Sequence, residues 1–345
     1  MTKTRIYDLN NYDYSPRHGM YAGNSGDKDG LLINGENWII KYPKSTRGFT
    51  NVGTLSYTTS PLSEYLGSHI YQILGYPVHR TVLGIREGQV VVGCKDFCKD
   101  GENLVEFRQL KNARNHELRE ELDKSSLTET KEGQHLTNLD HIIIHLRHNP
   151  LLTRVDGITQ RFWSCAIIDG LINNTDRNSG NWGIIRSRSG DKLAPVYDNG
   201  SSFYPSVGES KLERRLNDPR LLRDASLGSR TVYTFDNEHA LMFRDLVSMD
   251  NADMQQALIR NVPLIQEKMP EIIEFIQNVP VAVHDNDHSY NIMSDIRKQA
   301  YIQDMQMRLD KVMIPAYEKI KNITQEKIVS VPKQTQYNHD DDFER

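Results

Sequence analysis

The chain has 345 residues, of which 37% are hydrophobic and 26% are charged, so it can bury a large core and a largely disordered protein is excluded. The formal net charge is -4 at pH 7, which excludes the global basic field typical of nucleic-acid-binding proteins, and we expect no direct contact with nucleic acid. Its three cysteines are Cys94, Cys98 and Cys165. Three is an odd number and a small one for a chain of this length, so we expect no disulfide framework.

The sequence predicts a cytoplasmic protein without a membrane span. The longest apolar stretches, such as Trp163 to Ile172, are interrupted by polar residues and are too short to cross a bilayer. The first ten residues show no secretory signal pattern, although export without a signal would leave no trace in the sequence. Cys94 and Cys98 lack a second Cys or His pair at metal-site spacing, so we expect ordinary strand cysteines.

The first hundred residues predict a β-rich lobe with one helix. Leu31–Asn34 and Trp38–Tyr42 form one candidate hairpin, and Val78–Ile85 and Val90–Cys94 form a second. Between the two hairpins, Pro61–Leu74 carries apolar residues at helical spacing. The order is therefore strands, one helix, then strands.

From about Asn103 the spacing of apolar residues becomes helical. A buried helix is predicted over Ile158–Leu171, followed by a short hairpin of Trp182–Ile185 and Lys192–Val196. Further helical spacing covers Ile142–Leu146, Glu238–Val247, Met254–Ile259, Pro270–Ile276 and Ser294–Tyr317. We predict an α+β fold of two lobes, with a nucleotide-binding N-lobe over residues 1–100, a helical C-lobe with the catalytic loop over residues 101–332, and a disordered tail over residues 333–345.

A catalytic loop is predicted between the buried helix and the short hairpin. In the segment 173–183 (NNTDRNSGNWG), Asp176 and Asn181 stand five positions apart, the spacing of the catalytic Asp and the metal-binding Asn in kinase loops. Such a loop must aim one carboxylate at the attacking hydroxyl and then turn back to place an amide oxygen on a metal ion. We therefore predict Asp176 as the catalytic base and Asn181 as a metal ligand.

A second metal ligand is predicted at Asp198, within the segment 194–200 (APVYDNG). A carboxylate at the end of a strand, followed by a glycine-containing turn, is where kinases hold the magnesium that bridges the phosphates. Either motif alone is most often a solvated loop. Their order on a helix, loop, hairpin and turn makes the combination specific.

The N-terminal lobe offers groups for a nucleotide. Lys41 ends an apolar strand and is predicted to bind phosphates, with Glu64 on the one predicted helix as its partner, and we count both with the catalytic residues. The alternative is a solvated lysine and a surface glutamate. Glycines in the preceding loop would let backbone amides approach phosphate oxygens, although an ordinary flexible loop is an equal alternative. The residues assigned to this loop are Gly23, Asn24, Ser25, Gly26 and Lys28.

Taken together, these motifs resemble the HipA-like serine/threonine protein kinases, in particular their stand-alone CtkA-type branch. The similar stretches are Gly23–Lys28, Trp38–Pro43, Ser63–Tyr65, Val91–Phe97, Asn174–Gly183 and Ala194–Phe203. The resemblance covers roughly the first 210 residues. Its most specific element is the pair of motifs around Asp176 and Asp198.

The resemblance implies an enzyme that uses ATP and Mg²⁺ (or Mn²⁺) to phosphorylate serine or threonine of a protein substrate. Val92 to Phe97 would be the hinge between the lobes, with backbone groups near Lys95 and Phe97 facing the adenine. Some relatives autophosphorylate in the nucleotide-side loop, which here is Ser45–Ser63, and we favour Ser56 to Ser60. HipA itself is a toxin with a small DNA-binding antitoxin, so such a partner is a further implication.

Two departures and three alternatives accompany the resemblance. Family members commonly have His two positions after the catalytic Asp, where this chain has Asn178, and the separate N-terminal subdomain of full-length HipA is not evident. A lipid or small-molecule kinase of the phosphatidylinositol-kinase type would share the same catalytic motifs. A nucleotide-binding pseudokinase scaffold and a chance match of motifs are the other two readings.

Overall fold

The computed structural model describes residues 4–21, 27–49, 52–53, 55–111, 115–125, 136–285 and 288–329. The backbone forms a β-rich lobe followed by a mainly helical lobe, so the predicted two-lobed α+β fold is confirmed. Within the described part of the chain, no helix is both long enough and apolar enough to cross a membrane.

The first lobe is a five-stranded sheet with one helix. Its elements are β1 (Ile6–Asp8), β2 (Lys28–Ile33), β3 (Glu36–Lys41), α1 (Ser60–Ile73), β4 (Thr81–Arg86) and β5 (Gln89–Lys95). The strand order is β1-β4-β5-β3-β2, with β1 parallel to β4 and the other neighbours antiparallel. Both predicted hairpins are confirmed, and their tight turns use Asn34-Gly35 and Glu87-Gly88, all with positive φ.

Helix α1 lies between the two hairpins in sequence and packs on β4 and β5. Pro61 stands in its first turn, where a missing N–H costs nothing, and the chain leaves the helix at Gly75 with φ of +77°. Leu66 and Ile70 are fully buried against the sheet. Burying each such side chain contributes about 1.5–3 kcal/mol, which fixes the helix to the sheet that carries Lys41.

The second lobe is mainly helical. Its elements are β6 (Asn103–Glu106), α2 (Phe107–Leu110), α3 (His116–Lys124), β7 (Thr137–Asn138), α4 (Leu139–His148), α5 (Pro150–Thr153), α6 (Ile158–Ile172), β8 (Gly183–Ser187), β9 (Gly190–Leu193), α7 (Glu209–Asn217), α8 (Pro219–Leu227), β10 (Tyr233–Thr234), α9 (Phe243–Leu246), α10 (Ala252–Gln277), β11 (Ala282–Asp285), β12 (His288–Asn291), α11 (Asp295–Arg308), a π-helical stretch (Leu309–Met313) and α12 (Ile314–Val329). Strands β6, β8 and β9 form an antiparallel sheet beside the catalytic loop.

Helix α6 is the central element of this lobe. Twelve of its residues are buried, and it packs along α10. A helix that is apolar on every side belongs in the interior of a large domain. The helix ends at Asn173, whose left-handed backbone (φ +52°) turns the chain into the predicted catalytic loop.

Three predicted elements differ from the structure. The helix expected over Glu238–Val247 is reduced to α9, because the Asp236 carboxylate accepts the backbone N–H groups of Glu238 and His239 and holds a turn there. Residues 103–106, expected at the start of helical structure, instead form β6 and pair with β8. The two separate patterns at Met254–Ile259 and Pro270–Ile276 belong to the single helix α10.

Candidate active site

The catalytic loop folds around hydrogen bonds between its own side chains. The Asn174 carboxamide oxygen accepts the Asp176 N–H at 3.2 Å. Asn178 then donates to Asp176 Oδ1 at 2.7 Å and accepts the Gly180 N–H at 2.8 Å. The half-buried Asp176 carboxylate is therefore oriented by the residue that occupies the usual histidine position.

Asn181 turns its amide oxygen towards the cleft. Its Nδ2 lies 2.6 Å from the Asp176 carbonyl oxygen, which can only accept a hydrogen bond. The amide nitrogen must therefore face that carbonyl, and Oδ1 points the opposite way. This orientation leaves Oδ1 for other contacts, and an amide oxygen is a ligand type that Mg²⁺ accepts, so the assignment of Asn181 as a metal ligand stays a prediction.

Arg177 fixes the loop from beneath, a role that the sequence reading missed. Its guanidinium is 2% exposed and makes two bonds to the Asp169 carboxylate of α6, at 2.8 and 3.0 Å. It also donates to the carbonyl oxygens of Asn181 and Tyr197. Burial would lower the pKa of Arg177, but the Asp169 charge raises it well above its ordinary value. The available signal was Asp169 itself, the one carboxylate of the predicted buried helix.

Asp198 lies where the chain leaves β9 and turns under α1. Its φ is +59°, a left-handed backbone that a non-glycine residue rarely adopts, which aims its side chain into the cleft with 31% of the side chain exposed. Asp198 Oδ1 lies 2.9 Å from Lys41 Nζ. Strain of this kind at a predicted metal ligand is typical of functional sites.

Lys41 joins the two lobes. Besides Asp198, its Nζ contacts Glu64 Oε2 on α1 at 2.8 Å, so the predicted pairing of Lys41 with Glu64 is present in the structure. Burial would lower the pKa of the Lys41 ammonium, but the two carboxylates raise it well above its ordinary value. Burial alone has the opposite effect on Glu64 and would raise the pKa of its carboxyl group. The Lys41 charge and the hydrogen bonds from His79 and the Asn199 N–H outweigh burial and lower this pKa. Both groups are therefore charged near neutral pH.

The close approach of α1 to the Asp198 turn depends on Gly67. A Cβ at Gly67 would lie 2.8 Å from Asn199 Cβ and 3.3 Å from Ser202 Oγ. Because no side chain intervenes, the Asn199 N–H reaches Glu64 Oε1 at 2.9 Å. Helix α1 thereby positions both Lys41 and the turn that carries the predicted metal ligand Asp198.

Lys28 adds a second cation beside Lys41. The two residues are directly paired across β2 and β3, so their side chains leave the same face of the sheet. Burial and the Lys41 charge lower the pKa of Lys28. Two neighbouring ammonium groups suit the charge of a nucleotide phosphate chain. The other predicted loop residues, Gly23 to Gly26, lie outside the described residues.

The predicted hinge, Val92 to Phe97, covers the second half of β5 and the two residues after it. The Lys95 N–H donates to the Arg80 carbonyl and the Asp96 N–H donates to the Asn37 carbonyl, while the Lys95 ammonium pairs with Glu36 Oε1 at 2.5 Å. The Lys95 ammonium is bonded to Glu36, at the start of β3. An adenine at this place would therefore meet the backbone of the hinge rather than the Lys95 side chain, as the resemblance implies. The Phe97 ring lies 5.6 Å from the Tyr197 ring, measured between ring centroids.

Hydroxyl groups of the nucleotide-side loop differ in exposure. Ser45 and Ser56 are exposed, whereas Thr58 is buried, accepts the Lys44 N–H at 3.1 Å and lies 2.9 Å from Ser60 Oγ. Thr50 and Thr54 lie outside the described residues. Of the favoured stretch Ser56 to Ser60, Ser56 is thus the most accessible acceptor.

The donor set at the cleft fits a hard divalent cation. Asp198 offers a carboxylate and Asn181 an amide oxygen, the ligand types that Mg²⁺ and Mn²⁺ prefer. Cys94, Cys98 and Cys165 are free thiols in the structure. The Cys94 thiol lies near Glu64 and His79, and burial raises its pKa.

Comparisons with known proteins agree with this geometry, although no family model matches the chain. The chain is 29% identical over 294 residues to the serine/threonine-protein kinase CtkA of Helicobacter pylori (strain J99), covering 84% of each chain. The crystal structure of the H. pylori proinflammatory kinase CtkA superposes with a TM-score of 0.76 at 26% identity, covering 92% of this chain and all of that one.

A more distant match defines the fold alone. The HipA, HipB and operator DNA complex of Shewanella oneidensis MR-1 aligns with a TM-score of 0.50 at 13% identity, over 92% of this chain and 70% of that one. The predicted resemblance to HipA-like kinases of the CtkA type is confirmed by these matches.

Proposed function

We propose that this HipA-like kinase transfers the γ-phosphate of ATP to serine or threonine hydroxyls of a protein, with Mg²⁺ as its divalent cation. The observation that carries the proposal is the contact of Lys41 with both Glu64 and Asp198, next to the Asp176 loop that Arg177 joins to the Asp198 turn. That arrangement supplies a phosphate-binding cation, a metal ligand and a base in one place.

The Lys41 and Lys28 ammonium groups would hold the phosphate chain from the sheet side. The Lys95 carbonyl and the Phe97 N–H would bind the adenine edge. Asp176, oriented by Asn178, would accept the proton of the attacking hydroxyl. Binding by Gly23 to Gly26 stays a prediction from the sequence.

Asn181 Oδ1 and the Asp198 carboxylate would hold the cation from the opposite side of the cleft. When bound, Mg²⁺ supplies positive charge that neutralises the phosphate oxygens. The Lys41 ammonium, which pairs with Asp198 in this structure, would then contact phosphate oxygens as well. This positioning and charge stabilisation is the main contribution that a protein makes to phosphoryl transfer.

The phosphate acceptor and the partner protein are proposed by class and not as individual proteins. A protein acceptor, with Ser56 of the nucleotide-side loop as an autophosphorylation site, follows from the relationship to CtkA and from the exposure of Ser56. The antitoxin-like partner stays a prediction, because the HipA complex shares only its fold with this chain.

Incubation of the protein with γ-labelled ATP and Mg²⁺, followed by phospho-amino acid analysis, tests the proposal. The expected result is label on serine or threonine of the protein or of an added protein mixture, and none with Asp176→Ala. Label that appears only on added phosphoinositide vesicles would replace the proposal with a lipid kinase. Tight ATP binding with no transfer to either acceptor would replace it with a nucleotide-binding scaffold.

A further inference from the structure

The two oxygens of the Glu64 carboxylate have different partners. Oε2 accepts the Lys41 ammonium at 2.8 Å. Oε1 faces the interior, where it lies 2.9 Å from His79 Nε2 and 2.9 Å from the Asn199 backbone nitrogen. Glu64 is 1% exposed and His79 is 5% exposed, so neither group has ready access to bulk water.

The contact fixes the tautomer of His79. An ionised carboxylate can only accept hydrogen bonds, so the proton at this contact must belong to the histidine. His79 Nε2 therefore carries a hydrogen and donates it to Glu64 Oε1. A donor to a buried carboxylate is worth more than a bond between neutral groups, because the charge has no water to replace it.

His79 also connects Glu64 to the catalytic loop. Ser68 Oγ lies 3.1 Å from His79 Nε2 and accepts Asn199 Nδ2 at 3.0 Å. The Asn199 carboxamide oxygen in turn accepts Arg177 Nη2 at 2.6 Å. A continuous series of buried polar contacts therefore runs from the catalytic loop to the carboxylate that holds Lys41.

The backbone of His79 is tied to the strand that leads to Asp198. The His79 N–H donates to the Val196 carbonyl at 3.0 Å, and the Val196 N–H donates to the Pro77 carbonyl at 2.9 Å. The position of the imidazole is thus set by the same segment that carries the predicted metal ligand two residues later. Movement of that segment would move the imidazole as well.

We propose that His79 is a positioning residue, whose Nε2–H orients Glu64 so that the other carboxylate oxygen holds Lys41 against the nucleotide phosphates. The inference rests on the proposed kinase function. Without this donor, Oε1 would retain only the Asn199 N–H, and the carboxylate would be free to rotate away from Lys41. Removing an orienting group behind a directly acting residue commonly costs ten- to a hundredfold in activity.

The test compares His79→Leu, which removes the donor, with His79→Gln, whose terminal amide can donate in its place. His69→Leu is the matched control, because His69 is a histidine of α1 itself that contacts the Tyr65 carbonyl, Thr81 and the Phe275 ring instead of Glu64. We would measure kcat and KM for ATP in phosphoryl transfer, with thermal unfolding of each variant alongside.

For His79→Leu we expect kcat to fall by roughly ten- to a hundredfold, with KM for ATP changed by less than about fivefold. His79→Gln should recover most of the loss, and His69→Leu should keep the wild-type kcat. Wild-type kcat in a folded His79→Leu protein would overturn the proposal. So would a folded His79→Gln protein that is as slow as His79→Leu.

A second measurement tests the proposal without an activity assay. Nitrogen-15 NMR of the histidines in the wild-type chain distinguishes a protonated Nε2 from a protonated Nδ1, and the proposal requires the proton on Nε2 of His79. A neutral His79 with its proton on Nδ1 would overturn the proposal even if the enzyme is an active kinase. A protonated Nε2 in a chain without phosphoryl transfer would support the contact with Glu64 while removing the proposed function.

Discussion

Asn178 orients the predicted catalytic base through a hydrogen bond between the two side chains. It donates to Asp176 Oδ1 from the place where HipA-like kinases commonly have histidine. We predict that Asn178→Ala lowers kcat roughly tenfold, because the Asp176 carboxylate loses an orienting donor. Asn178→His should retain most of the rate. Steady-state phosphoryl transfer measures both, and equal rates for Ala and wild type would show that the contact has no role in catalysis.

Arg177 contributes to the stability of the fold as well as to the geometry of the candidate site. Its charge is buried against Asp169, and removing one partner of a buried pair leaves the other charge without compensation. We predict that Arg177→Met lowers the free energy of unfolding by about 3–5 kcal/mol, measured by urea denaturation.

The control for that prediction is Arg223→Met, which removes an exposed ion pair with Asp224. Exposed pairs contribute about 0–1 kcal/mol, so this variant should unfold close to wild type. A similar small loss for both arginine variants would mean that the Asp169 pair does not hold the loop.

At the scale of elements, we expect replacement of Gly67 by alanine to destabilise the fold, whereas the same replacement at other helical glycines usually stabilises it. Gly→Ala in a helix ordinarily stabilises by about 0.5–1 kcal/mol. Here the added Cβ would lie 2.8 Å from Asn199 Cβ, and overpacking of this kind costs about 1–3 kcal/mol. We predict that Gly67→Ala lowers both stability and kcat, because the Asp198 turn must move away from α1.

Gln72→Ala on the same helix is exposed and serves as its control in thermal unfolding and transfer assays. It should leave both quantities close to wild type. A Gly67→Ala protein that is more stable than wild type, with full activity, would show that α1 and the turn do not need this close approach.

His145, on helix α4, makes the folded protein less stable in acid. Burial lowers the pKa of His145 to about 4, below the ordinary value of 6.5, and its imidazole contacts Asn149 and the Phe107 ring. The unfolded chain therefore binds more protons between pH 4 and 6.5, so this contribution is fully present above pH 6.5 and is lost as the pH falls. We predict a loss of about 2 kcal/mol from His145 between pH 7 and pH 5.

Urea denaturation of wild type and His145→Gln at the two pH values checks this prediction. The glutamine variant keeps a polar group but does not titrate, so its stability should change less between pH 7 and pH 5. The same change in both proteins would assign the acid sensitivity to other groups.

The predicted elements succeeded where the pattern is local. Alternation of apolar residues, turn residues such as Asn34-Gly35, and the dense apolar spacing of α6 fix the hairpins and the central helix. Glu238–Val247 failed because Asp236 captures two backbone N–H groups, an outcome that helical spacing does not register. Strand β6 was missed because its pairing partner β8 lies about 80 residues away.

For the whole molecule, the sequence predicted the contact of Lys41 with Glu64 and named Asp198, which lies beside them, but it did not predict the buried groups that hold these side chains. Asp176 and Asn181 could be predicted because a single loop fixes their spacing. The ion pair of Lys41 with Glu64 agrees with the prediction, and its contact with Asp198 spans 157 residues. His79 and Arg177 act through buried contacts that carry no local sequence pattern.

Two further contacts connect the lobes. Val78 bridges to Val196, and the Thr59 N–H donates to the Pro205 carbonyl at 2.8 Å. With the Lys41 ion pairs, these contacts set the spacing of the cleft. Both sides of the proposed ATP site are therefore held in register by direct bonds between residues that are distant in sequence.

The most direct test of the account is calorimetric ATP binding in Mg²⁺ by wild type, Asp176→Ala and Asp198→Ala, with transfer rates measured on the same preparations. Both variants should transfer phosphate at least about a thousandfold more slowly than wild type. Asp198→Ala should also bind ATP·Mg²⁺ more weakly, because a metal ligand is lost, whereas Asp176→Ala should bind it as wild type does. Equal effects of the two substitutions on binding would contradict the assigned roles, and no ATP binding by the wild type would contradict the account as a whole.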